Sequence, residues 1–150
     1  MDIGSVVNLL VGLLNIILLF YNIFEKKKQN AYQVRLALFE KRLAVKDSIM
    51  SFISEVLISP SSKALDKTTP LLQATKDCEY LFGKEINEHV GILQRKALNL
   101  YSINSALENE PFGEKRDKIV DTEKEILTWF MDQFDKTKEL FAPYLDLTKE

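Results

Sequence analysis

Glu85 and His89 lie four residues apart, so a helix would place a carboxylate and an imidazole on one face, within reach of a shared divalent cation. Two ligands do not close a coordination sphere. With one His and one Cys in 150 residues, the chain has no further soft donors nearby. We therefore read His89 as a solvent-exposed histidine and expect no metal. Cys78 sits between Asp77 and Glu79. Adjacent carboxylates favour the protonated thiol over the thiolate, so this cysteine is not expected to act as a nucleophile. A lone cysteine also excludes an internal disulfide framework and any multi-cysteine cluster. The chain contains no glycine-rich phosphate loop, no G-x-S-x-G elbow and no H-E-x-x-H pair. These residues give no enzyme and call for no cofactor.

The side chains that do repeat are amides. Asn8, Asn15 and Asn22 are spaced one heptad apart, with Ser5, Gly12 and Leu19 at the alternating positions. Steps of three and four define a coiled-coil seam. In hydrocarbon an amide seeks a partner on a neighbouring helix, and each such bond contributes about 0.6–2 kcal/mol. Gly12 and Ser5 are small enough to let two backbones approach. The expected use is association with a second copy or with another membrane helix.

The element that must carry this seam is apolar. Ile3 to Phe24 contains no charge, and fifteen of its 22 residues are Ile, Val, Leu or Phe. A helix of this length spans roughly 33 Å, against a hydrocarbon thickness of about 30 Å. Apolar residues cover nearly its whole circumference, whereas a helix of a small globular domain keeps a polar face. A cleavable leader needs positive charge ahead of the apolar run and small residues behind it. Met1-Asp2 and Tyr21-Asn22-Ile23-Phe24 supply neither. Lys26, Lys27, Lys28 and Arg35 follow directly and are expected to touch anionic lipid. Their charge places the C-terminal part in the cytoplasm and the N-terminus outside an inner membrane. A topology signal of this kind accounts for the basic run without nucleic acid.

Residues 25–150 read as a cytoplasmic helical domain, behind an anchor at 1–24. Residues 25–46 carry seven Lys or Arg against two Glu; the remainder of the domain is acidic, and the whole chain has net charge −2. No alternating run of Val, Ile and Thr predicts a strand. Tyr32, Leu36, Phe39, Leu43, Ile49, Ile53 and Val56 recur at helical spacing, with no Gly or Pro between this segment and the apolar one. One helix is expected to run through both and to end before Pro60. Ser59 to Thr69 is expected to be a loop. Thr69-Pro70 is expected to start a short helix that Gly83 stops. A third helix is expected from Lys84 to about Leu107, lined by Ile86, Val90, Leu93, Ala97, Leu100 or Tyr101, Asn104 and Leu107, and a fourth from Glu114 to Ala142. On this fourth helix Ile119, Ile126, Phe130, Phe134 and Phe141 share one face, with Trp129, Leu140, Val120 and Met131 flanking it. Tyr144 to Leu147 is expected to pack back. The fold class is all-α: a transmembrane helix continuing into an antiparallel bundle of three long helices and one short one.

Residues 35–42 (Arg-Leu-Ala-Leu-Phe-Glu-Lys-Arg) and 74–83 (Ala-Thr-Lys-Asp-Cys-Glu-Tyr-Leu-Phe-Gly), with Trp129 to Phe134 and Leu140 to Leu145, resemble a loose set of small bacterial membrane-anchored helical proteins of unassigned activity. The resemblance implies a bacterial or phage-related origin and supplies no reaction, ligand or catalytic residue. Two functions are consistent with the sequence. One is a non-enzymatic scaffold that oligomerises through the amide seam and holds an unknown cytoplasmic protein at the membrane. The other is a membrane-perturbing effector or toxin component whose bundle senses a signal.

Overall fold

The computed structural model describes residues 2–59 and 64–146. It is helical throughout, with no strand among the described residues: α1 (Ile3–Ile58), α2 (Ala64–Thr75), α3 (Cys78–Leu81), α4 (Lys84–Asn109), α5 (Glu114–Phe141) and a 3₁₀ turn (Ala142–Tyr144). The expected continuity across Phe24 holds, and α1 is unbroken. Pro60 and Leu147 lie outside the described residues.

The chain divides into two units, Met1–Leu38 and Phe39–Glu150. The first is the N-terminal stretch of α1, where the large apolar side chains are exposed except for half-buried Leu38. Tyr32 and Leu36, expected on a core-facing line, are also exposed here at 66% and 37%. Helical periodicity marks a stripe and not what covers it, and within this unit nothing does.

The second unit holds the core. Val45, Ile49, Phe52, Ile53 and Val56 contribute from the C-terminal part of α1. The predicted line of α4 is buried at Ile86, Val90, Leu93, Ala97 and Leu100, and half-buried at its later positions Tyr101, Asn104 and Leu107. From α5 come Ile126, Phe130 and Phe141, with Trp129, Phe134 and Leu140 packed against them, while Met131 points out at 62% exposure. Phe52 meets Phe130 edge-on at 6.5 Å, and Phe82 meets Phe141 at 4.9 Å. Helices α4 and α5 are antiparallel: His89 reaches Thr137, and Lys96 lies over the Trp129 ring.

The turn joining α4 to α5 is held from inside. Arg116 Nη1 donates to the carbonyls of Leu107 (2.6 Å) and Glu110 (2.7 Å), taking up acceptors that the end of α4 leaves free. Gly113 precedes α5 with φ +152°, a conformation that side-chain-bearing residues avoid. Glu114 and Asp117 in the first turn of α5, and Lys138 in the last, complement its dipole.

Two boundaries differ from expectation. Residues 64–69 are helical where a loop reaching Thr69 is expected, and Pro70 sits inside α2 instead of starting it. Inside a helix proline removes one backbone hydrogen bond and crowds the preceding turn. Against that cost stand the burial of Leu71 (2% exposed) and of Thr75, whose hydroxyl donates to the Leu71 carbonyl at 2.7 Å. The expected single helix over 70–82 is two, broken at Lys76-Asp77. Gly83 is not the left-handed stop expected of it. Phe82 ends α3, and Gly83 is the extended N-cap of α4 at φ −74°.

Candidate association face on the N-terminal helix

Helical rotation of 100° per residue brings Ser5, Asn8, Gly12, Asn15, Leu19 and Asn22 within about 100° of one another around α1. All six are exposed. A Cβ built on Gly12 meets no atom within 4 Å, so the backbone there is open to an incoming surface. The stripe is amide-bearing and flanked on both sides by exposed leucine, isoleucine and valine. The helix contains an 18-residue window long and apolar enough to cross a membrane, and none of that window is buried.

Sequence proximity groups Lys26, Lys27, Lys28 and Arg35 as one basic cluster, and all four are exposed. Helical geometry separates them. Lys26 falls on the amide stripe, Lys27 lies about 40° beyond its Ser5 edge, and Lys28 and Arg35 lie more than about 100° away from it. A shallow groove along α1 is lined by Leu19, Asn22, Ile23, Glu25, Lys26 and Gln29.

The Glu85–His89 pair does not act as a pair. His89 is buried at 3% exposure, a correction to its expected place in solvent, and its Nε2 lies 2.9 Å from Thr137 Oγ1. Burial, with the positive charge of Lys136 as a smaller cause, lowers its pKa to about 4, so the ring is neutral at pH 7. Glu85 is exposed and accepts a hydrogen bond from the Tyr144 hydroxyl. That bond, and after it a bond to its own backbone N–H, holds the carboxyl below its usual range. Cys78 is fully buried, and its thiol is pushed up to about 11 by desolvation first and by Asp77 second. The expected direction is right, but the main cause is the core and not the neighbouring acid.

A junction around Tyr144 has no counterpart in the sequence reading. Arg42 donates from Nε to the Leu81 carbonyl and from Nη1 to the Tyr144 carbonyl, both at 3.2 Å, and its guanidinium lies 5.6 Å from the Tyr144 ring centroid. The Gly83 N–H donates to the Tyr144 hydroxyl at 2.9 Å. Phe82 packs edge-on against the same ring at 5.2 Å. One arginine and one tyrosine thus tie the end of α3, the start of α4 and the 3₁₀ turn to α1. Arg42 therefore serves the fold, although it belongs to the basic stretch. Its partners are 39 and 102 residues away, beyond the reach of any local pattern.

Gln133 and Thr137, one turn apart on α5, are buried polar residues that the apolar line also missed. Gln133 Nε2 donates to the Trp129 carbonyl at 2.9 Å, and its Oε1 has no hydrogen-bond partner. No protein-family pattern matches this chain, and no curated protein or solved structure is significantly similar to it.

Proposed function

We propose that the protein is a single-pass, membrane-anchored scaffold with no enzymatic role. The anchor is the apolar N-terminal stretch of α1, and it self-associates through Ser5, Asn8, Gly12, Asn15, Leu19 and Asn22. The Phe39–Glu150 unit, on the cytoplasmic side of an inner membrane, presents a helical surface to a partner protein. Lys27, Lys28 and Arg35 contact anionic headgroups, and the segment ahead of Ile3 faces outward.

One observation carries this reading: the most apolar window of the chain is helical, charge-free and wholly uncovered by the rest of the molecule. Water would penalise that arrangement at about 25 cal/mol per Å² of exposed apolar surface, whereas lipid removes the penalty. The amides supply specificity within an otherwise featureless surface.

The test is mass in mild detergent. Full-length protein should be oligomeric by light scattering, and the combined substitution of Asn8, Asn15 and Asn22 by Leu should reduce the mass. Identical masses would sink the seam. Recovery of the unprocessed chain as a soluble monomer would remove the anchor with it.

A further inference from the structure

We propose that the association face does not end at the membrane surface. It continues along α1 through Lys26, Gln29, Gln33 and Leu36, and its occupant is the same stretch of a second copy lying parallel. This rests on the anchoring role proposed above and extends it into water.

The argument begins with register. Helix α1 runs without interruption from Ile3 to Ile58, so the heptad count that places Asn8, Asn15 and Asn22 carries on unchanged. The next two positions in that series are Gln29 and Leu36, and the alternating series Ser5, Gly12, Leu19 continues to Lys26 and Gln33. A fourth amide, Gln29, therefore extends the row of three, with Gln33 beside it. All of these positions are exposed, including Leu36 at 37%. A straight helix would spread the whole series over about 140°, because 3.6 residues per turn drifts about 20° per heptad. Gentle left-handed supercoiling, which a strict seven-residue repeat imposes, brings the stripe back into line.

Surface shape gives a second and independent reason. In a coiled coil each seam side chain enters a hole formed by four residues of the facing helix. The groove on α1 is lined by Leu19, Asn22, Lys26 and Gln29 from the seam, with Ile23 and Glu25 on its two shoulders. A second groove, on one flank of the seam, is lined by Gln29 and Gln33 together with Glu25, Lys28 and Tyr32. The first concavity follows the predicted line of contact as it leaves the apolar segment, and the second borders that line on one side.

Charge selects a second copy in the same orientation. Lys26 on the seam would face its own counterpart, but Glu25 occupies the shoulder position immediately before it. In a parallel pair each Glu25 lies beside the other helix's Lys26. A lone Lys at such a site costs some stability and fixes register. Copies inserted with one topology are parallel by necessity. Lys27 and Arg35 lie off the seam and Lys28 lines only the flanking groove, so headgroup contact and self-association draw on largely different side chains. The line stops at Leu36, the last seam position of the Met1–Leu38 unit.

Cysteine crosslinking in native membranes tests the extension. Single variants Gln29→Cys and Leu36→Cys probe the seam, and Ala31→Cys and Val34→Cys probe the opposite side. Cys78 is left in place, since it is fully buried, and the chain without an added cysteine is the blank. Under mild oxidation the two seam variants should give about tenfold more covalent dimer than the two controls, because a disulfide needs Cβ atoms about 3.5–4.5 Å apart. Equal crosslinking at all four positions overturns the extension. So does its absence at positions 29 and 36 in a protein that is still oligomeric by mass, an outcome that leaves the seam within the lipid standing. A mixed bond between Asn8→Cys and Gln29→Cys chains, without bonds between identical positions, identifies an antiparallel pair and overturns the proposal. A monomer overturns this inference and the scaffold reading together.

Discussion

Ile17 and Ile49 belong to the same helix, yet Ile17 is 62% exposed and Ile49 is 0% exposed. The residue is identical and the backbone conformation is the same, so neither propensity nor hydrophobicity separates the two regions. Composition around each residue does. From Phe39 onward apolar positions alternate with Lys, Glu and Ser, so one stripe can be buried while the other faces water. From Ile3 to Phe24 the polar side chains are confined to the narrow amide stripe and apolar ones cover the rest, so no stripe can be buried without exposing another apolar one. The second unit covers its apolar side chains internally, whereas those from Ile3 to Phe24 stay exposed.

The largest expected effect sharpens that contrast. Phe130→Ala removes a fully buried ring packed edge-on against Phe52 and Trp129, and should lower unfolding stability by about 3–5 kcal/mol. Leu13→Ala, at a site 49% exposed, should change it by less than about 0.5 kcal/mol. Urea unfolding of full-length protein in detergent, followed by circular dichroism, compares the two. Similar losses would break the distinction between the regions.

A pH dependence comes next. His89 has a folded-state pKa of about 4, below its ordinary value of 6.5. The unfolded chain therefore binds a proton that the native state refuses. Stability is fully present above pH 6.5, declines as pH falls from there to about 4, and has no further dependence on this group below that. At about 1.4 kcal/mol per unit the loss amounts to roughly 3 kcal/mol. His89→Asn should flatten the unfolding midpoint between pH 7 and pH 4.5. An unchanged slope would show that His89 is not the source.

Two smaller effects probe the joints of the second unit. Gly113→Ala forces a side chain into φ +152° and should cost about 1–3 kcal/mol, read as a lower melting temperature. Tyr144→Phe removes the hydroxyl that accepts from Gly83 and donates to Glu85, and should cost about 1 kcal/mol. If Tyr144→Phe costs more than Gly113→Ala, the hydroxyl's bonds to Gly83 and Glu85 carry more of the fold than the half-buried position of Tyr144 suggests.

How far the sequence could be read depended on distance along the chain. The α4 line was legible because five apolar residues at helical spacing have one way to be buried together. The amide stripe was legible because its register is arithmetic on a single helix. His89 and Thr137 were not, since each alone looks like a surface residue and only their pairing, 48 residues apart, makes burial tolerable. Pro70 misled because a start signal is also compatible with a helix interior when a neighbouring side chain is well buried. Tyr32 and Leu36 misled in the opposite sense, as a sound pattern with no partner inside the chain.

The fully enclosed thiol of Cys78 makes the protein its own unfolding gauge. With its pKa at about 11 and no surface exposed, a maleimide can reach this sulfur only when the surrounding helices part. The rate at which this one natural label is taken up, in detergent or in membranes, therefore counts excursions out of the native state without any added probe.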